Sequence, residues 1–148
     1  MNKKDDGFSA IEIVIAVAVI ILLAIIAVPK MADTLKKSNE NATKASLGSL
    51  RSAIAMYYGD HEGNYPDANI AEELTKDAKY IASIPAASGS SYHPKSNKIV
   101  ISGTEISNDT GEWIYKADDT EDENGRVKGQ IWINCTHKDS KGNVWNEL

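Results

Sequence analysis

The chain has little cysteine: Cys135 stands alone in 148 residues. An internal disulfide is therefore excluded, and a cysteine-based zinc centre, which usually gathers several ligands at short spacing, is disfavoured. Cys135 reads as a buried apolar side chain, with an intermolecular bridge or a reactive thiol as competing roles. Basic clusters are also missing. With a formal net charge of −5 and no run of Lys and Arg to neutralise phosphates, nucleic acid is not expected as a primary ligand. A Gly-rich phosphate loop, a nucleophile elbow and paired metal-binding histidines are absent too; His93 and His137 have no Cys or Ser partner suggested by spacing, and His61 reads as a solvated turn residue. No enzyme is indicated.

What the chain does have is apolarity concentrated at one end. From Phe8 to Val28 run twenty-one residues interrupted only by Ser9 and Glu12, which as a helix span roughly 32 Å and can cross a bilayer. The run is longer than the apolar region of a secretory signal peptide and lacks its small-residue cleavage site, because Pro29-Lys30-Met31 follows. A plain membrane anchor remains as an alternative, but a carboxylate inside an apolar helix costs a few kcal/mol and needs a partner or a purpose. Snorkelling of Glu12 to the interface is the simplest way to relieve that cost.

After Pro29 the apolar residues thin into a stripe of Met31, Leu35, Ala42, Leu47, Leu50, Ile54 and Tyr57, in steps of three, four or seven. That is helical periodicity, with Lys36, Lys37, Asn39, Glu40 and Lys44 filling the intervals. The helix is expected to run to about Tyr58 and stop at Gly59. A short second helix is expected to start at Asn69 and Glu72 in a capping-box-like arrangement, bury Ile70, Leu74 and Ile81, and end at Pro85. Residues 86–94 read as an irregular loop. Strands are expected at 98–102, 112–117 and 129–134, with Asn124-Gly125 as the turn between the last two. Trp113 and Tyr115 then share one face, as do Ile131 and Ile133, and Trp113 and Trp132 read as sheet packing rather than as ligand platforms.

Residues 118–123 pack five carboxylates into six positions: Asp118, Asp119, Glu121, Asp122 and Glu123. Calcium is the cation such hard oxygens suit, although the spacing does not fit an EF-hand loop, and a solvated charge run is the competing reading. Asp139 and Asn143 could add to such a site but carry no signal of their own.

The segment Gly7-Phe8-Ser9-Ala10-Ile11-Glu12 followed by Ile13-Val14-Ile15 resembles the processing site shared by type IV pilins and the pseudopilins of type II secretion, departing from it at Ser9-Ala10 and at Asp5-Asp6. The run from Ala55 through Tyr57-Tyr58-Gly59 to Tyr65-Pro66 is similar to the helix exit of major pseudopilins. The resemblance implies an α+β pilin-like fold: a long N-terminal helix, membrane-spanning in its first half and amphipathic in its second, packed on a small antiparallel sheet. It implies a leader at 1–7, an assembly helix at 8–29 and a globular domain at 30–148. It also implies that prepilin peptidase cuts between Gly7 and Phe8 and methylates the new amine of Phe8, and that Glu12 pairs with the Phe8 amine of a neighbouring subunit. The implied partners are further copies of the chain, an inner-membrane platform with its assembly ATPase, minor pilins or pseudopilins, and membrane lipid before assembly. No cofactor is required, with calcium in the acidic loop as the candidate ion.

A physical reason for that spacing exists without the family. Cleavage creates a positive amine one helical turn from Glu12, and opposite charges attract strongly at low dielectric. Positive-inside counting points the other way, with Lys3 and Lys4 before the apolar run and Lys30, Lys36 and Lys37 after it. The resemblance favours a cytoplasmic leader and a periplasmic body. The functions in view are a major pseudopilin of type II secretion, a surface type IV pilin, and a membrane-anchored binding domain that does not assemble.

Overall fold

The computed structural model describes residues 9–87, 92–102 and 109–148. Contact density divides the chain into two compact units between Lys36 and Lys37. Helix α1, Ala10–Asp60, is 51 residues long and carries Pro29 inside it, where the ring cannot donate to the carbonyl one turn back. Within the first unit its apolar side chains are all exposed. The most apolar 18-residue window of the helix has a mean hydropathy of 3.3 and is nowhere buried in the protein, so the helix is long and apolar enough to cross a membrane.

Within the second unit α1 becomes a core element. Leu47, Leu50, Ala53 and Ile54 are buried, and Tyr57 packs against the same cluster, as the three-and-four spacing requires. The stripe begins later than the periodicity suggests: Met31 and Leu35 are exposed and so is Ala42. Glu40 and Thr43 hold the inner face instead. Glu40, read from sequence as solvent-facing, can be buried because its two carboxylate oxygens accept the Ser140 N–H at 3.2 and 3.0 Å. The Thr43 hydroxyl donates to the Asn39 carbonyl at 3.0 Å. The helix passes Gly59 and ends at Asp60; just beyond it Glu62 (φ 55°) and Gly63 (φ 87°) turn left-handed, and the Gly63 N–H closes on the Tyr58 carbonyl at 3.0 Å.

Helix α2 covers only Ile70–Thr75. Ile70 and Leu74 are buried as expected, and Ile81 packs partly buried against the core, but the helix ends ten residues before Pro85. Asp77 and Ala78, both at positive φ, break the helical path, and the Ile81 N–H returns to the Leu74 carbonyl at 3.2 Å. No side-chain cap forms at Asn69; its carbonyl accepts from Glu72 and Glu73 instead.

Three short strands, β1 (Ile99–Ile101), β2 (Trp113–Tyr115) and β3 (Ile131–Ile133), form one sheet in the order β1-β2-β3. β2 and β3 are antiparallel, pairing Trp113 with Ile133 and Tyr115 with Ile131. β1 and β2 are parallel, pairing Ile99 with Trp113, so the sheet is mixed rather than wholly antiparallel. Parallel neighbours need a crossover rather than a tight turn, and eleven residues separate β1 from β2 in the sequence. Every residue of β2 and β3 is buried. Trp113 and Tyr115 share the expected face, and the Trp113 indole N–H and Tyr115 hydroxyl donate to the carbonyls of Pro85 and Pro66, each at 2.7 Å. Trp132 on the opposite face is capped by the Arg126 guanidinium, 4.3 Å from the ring centroid.

The two halves of α1 make opposite predictions for truncation. Leu50→Ala should lower the unfolding free energy of the body by about 2–5 kcal/mol, whereas Leu22→Ala should change it by less than about 0.5 kcal/mol. All three tryptophans lie in the body, so urea unfolding followed by tryptophan fluorescence in detergent reads both. Equal effects of the two substitutions would contradict the division.

Candidate functional site

The apolar half of α1 begins with a backbone cap. Ser9 accepts from the N–H groups of Glu12 and Ile13 through its carbonyl at 3.0 and 3.3 Å, and Glu12 Oε2 accepts the Ser9 N–H at 2.8 Å. This is the carboxylate half of a capping box. It places Glu12 in the first turn, where the helix dipole favours an anion. Gly7 and Phe8 lie outside the described residues. From Ile11 to Leu35 the large apolar side chains are 49–67% exposed, a continuous apolar surface within the first unit.

The acidic loop between β2 and β3 is organised around its own charges. Asp118 Oδ1 accepts from Lys116 Nζ at 2.6 Å and from the Thr120 N–H at 2.9 Å, and the Lys116 hydrogen bond is the main reason its carboxyl sits well below the usual carboxylate range. Asp122 Oδ1 accepts the N–H groups of Asn124 and Arg126 at 2.9 and 2.8 Å. Burial alone would raise the Asp122 pKa, but those two amides and the Arg126 charge bring it down. Asp119 pairs with Lys128 at 3.6 Å, while Glu121 and Glu123 are exposed. Asn124-Gly125 makes the expected turn, with Gly125 at φ 73°.

Sequence spacing missed a different group. His93, Asp109, Cys135 and His137 converge, with one ligand atom from each lying within 4.8 Å of all the others. His93 Nε2 is 3.1 Å from Asp109 Oδ1, His137 Nδ1 is 3.0 Å from Asp109 Oδ2, and Cys135 Sγ is 3.6 Å from His137 Nδ1. Cys135 is buried, as expected of a lone cysteine, but its neighbours are imidazoles rather than only apolar groups. Asp109 is held by Thr136, whose N–H and hydroxyl donate to it at 3.0 and 2.9 Å. Burial opposes ionisation of Asp109, yet those bonds and the two histidines keep its pKa low. Glycine is required at 111, where φ is 74° and a Cβ would stand 2.6 Å from that of His93.

Comparison with curated proteins finds relatives of one kind. The chain is 31% identical over 86 residues to a fimbrial protein of Eikenella corrodens, covering 57% of this chain and 56% of that one. It is 28% identical over 92 residues to a fimbrial protein of Neisseria meningitidis serogroup B, covering 60% and 54%. A type IV major pilin protein of Neisseria gonorrhoeae is 29% identical over 93 residues, covering 60% and 43%. The chain is similar to type IV pilins over about three-fifths of its own length. It spans about half the length of the curated relatives it matches. These relatives are structural filament proteins by name, not enzymes. No family model matches the sequence, and no solved structure matches it.

The C-terminal segment is tied to α1 by charge. Asp139 forms a salt bridge with Lys44 of α1, and its carboxylate also accepts the N–H groups of Lys141 and Asn143 at 2.8 and 2.9 Å and the Asn143 side-chain amide at 3.1 Å. Burial works against the Asp139 charge, but Lys44 and the Asn143 and Lys141 donors outweigh it and hold the pKa well below the usual value. A folded-state pKa below the unfolded one gives stability that is present above about pH 4 and lost as pH falls through the folded value. Asp139→Asn should therefore cost roughly 1–3 kcal/mol at neutral pH, through donors left without their acceptor. It should also flatten the fall of the melting midpoint between about pH 5 and pH 2. An acid limb as steep as that of the wild type would remove Asp139 from this role.

Proposed function

We propose that the chain is a structural subunit of a type IV-like filament, held in the inner membrane by the first half of α1 until it assembles. The observation that carries this reading is the uncovered apolar surface from Ile11 to Leu35 with a single carboxylate, Glu12, in its first turn. In a filament the same surface is buried against neighbouring copies. Cleavage between Gly7 and Phe8 by a prepilin peptidase then frees an amine one turn from Glu12. Pairing of Glu12 with the Phe8 amine of an adjacent subunit sets axial register, since both charges lie in an apolar setting where water does not screen them. Insertion requires the inner-membrane platform and its assembly ATPase, and minor subunits join the filament.

The relatives' names favour a surface pilus. The pseudopilus of type II secretion is the second reading, favoured by the acidic loop between β2 and β3 and by the single cysteine. Calcium belongs with that second reading, at Asp118, Asp119, Glu121, Asp122 and Glu123.

Gly7→Glu should leave the precursor uncut, read as a larger mass by mass spectrometry, and should abolish filaments. Glu12→Ala should be processed normally and still yield no filaments. Normal cleavage of the Gly7 variant, or cross-linking at positions 8 and 12 that yields monomers alone, would return the chain to a membrane-anchored binding domain. Filaments sheared from intact cells support the surface pilus, whereas loss of a secreted protein with no sheared filaments supports the pseudopilus. If the acidic loop binds calcium, a concentration a hundredfold above Kd should add about 2.7 kcal/mol to stability; a melting midpoint indifferent to calcium removes the ion from the proposal.

A further inference from the structure

The second unit brings four side chains of metal-binding type together from separate stretches of chain: His93 after the loop that follows α2, Asp109 ahead of β2, and Cys135 and His137 after β3. We infer that His93, Asp109, Cys135 and His137 form a four-coordinate structural site for a transition-metal ion of the zinc class.

The geometry is close to what such an ion needs. Zinc bonds of about 2.0–2.3 Å in a tetrahedron put donor atoms roughly 3.3–3.8 Å apart, and three of the separations here are 3.0, 3.1 and 3.6 Å. His93 Nε2 is buried and makes no hydrogen bond among the described residues, although it lies 3.1 Å from Asp109 Oδ1; that nitrogen faces the cluster without the alignment a hydrogen bond to the carboxylate demands. Two imidazoles, one thiolate and one carboxylate are a borderline donor set that suits zinc, whereas calcium and magnesium take oxygen ligands. Charge agrees as well. A divalent ion with one thiolate and one carboxylate is neutral overall, the state a partly buried site tolerates best.

The surroundings position each ligand. The backbone N–H and hydroxyl of Thr136 orient Asp109 at 3.0 and 2.9 Å, as outer groups do in metal centres. The Tyr92 ring stacks on His137 at 4.3 Å with an interplanar angle of 13°. His93 meets His137 edge-on, with centroids 5.1 Å apart, and its ring sits where glycine at 111 leaves room. Four protein ligands leave no open position for substrate water, so the role is structural. The ion would cross-link three segments of a body whose single cysteine cannot form an internal disulfide.

The site is tested on the full chain, purified in detergent, reduced and freed of metal. Titration with cobalt(II) should produce the visible bands of a tetrahedral ion and a near-ultraviolet thiolate-to-cobalt band, saturating at one equivalent and bleached by zinc. Zinc should raise the melting midpoint. Cys135→Ser should lose the thiolate band, His93→Ala should lose the tetrahedral intensity, and Thr136→Val should weaken zinc binding about 10- to 100-fold. Near-ultraviolet circular dichroism confirms that each variant is folded, and Thr136→Val, which keeps all four ligands, serves if a ligand variant does not fold. The inference is overturned by a folded wild type with no thiolate band and a zinc-independent midpoint, or by a Cys135→Ser spectrum equal to that of the wild type. Stabilisation by calcium and not by zinc overturns it as well.

Discussion

An apolar helix surface that its own chain leaves bare has to be covered by something else. The run from Ile11 to Leu35 is too hydrophobic to stay in water: at about 25 cal/mol for each Å² of apolar surface, the driving force to cover it is many kcal/mol. Lipid and other copies of the same helix are both able to supply that cover, and the same residues serve either environment because neither asks for a polar partner. This constraint separates the two halves of α1. The first half is selected for what lies outside the chain; the second, from Lys37, for the sheet and loops of its own body.

Glu12 is the one charged residue between Ile11 and Val28, and its local geometry explains how it is tolerated there. Its carboxylate takes the Ser9 N–H, one of the donors that a helix start otherwise leaves unmet. Under the proposed processing, cleavage before Phe8 would put a new amine near the same carboxylate in sequence. On that proposal one residue would both cap the helix and offer a charge to a neighbouring subunit.

Local pattern predicted the elements that depend on local pattern. The core face from Leu47 to Tyr57, the paired burial of Trp113 with Tyr115 and the Asn124-Gly125 turn follow from periodicity and turn chemistry, which act over a few residues. The parallel pairing of β1 with β2 is a relation between two strands eleven residues apart in sequence, which the pattern within either strand does not encode. Glu40 was hidden for a related reason: its burial is made possible by an amide one hundred positions away. The His93, Asp109, Cys135 and His137 group is the extreme case, since only Cys135 and His137 are neighbours in sequence. Metal motifs are legible when ligands share a turn or a hairpin, and these ligands come together only once the sheet has formed.

The body itself is small, with three strands of three residues each, and its backbone pairing alone holds little together. Polar ties between distant segments take over. Glu40 and Lys44 on α1 engage Ser140 and Asp139, Arg51 reaches the Ile131 carbonyl at 3.1 Å, and the Tyr115 hydroxyl anchors Pro66. Except for the Arg51 bond to β3, these ties join an element of the core to a stretch with no regular structure, and they satisfy groups that burial would otherwise penalise. Asp109, fastened by Thr136 and flanked by two histidines and a thiol, belongs to this set. It differs in one respect that a metal ion would resolve: its neighbours include a buried imidazole nitrogen that makes no hydrogen bond among the described residues.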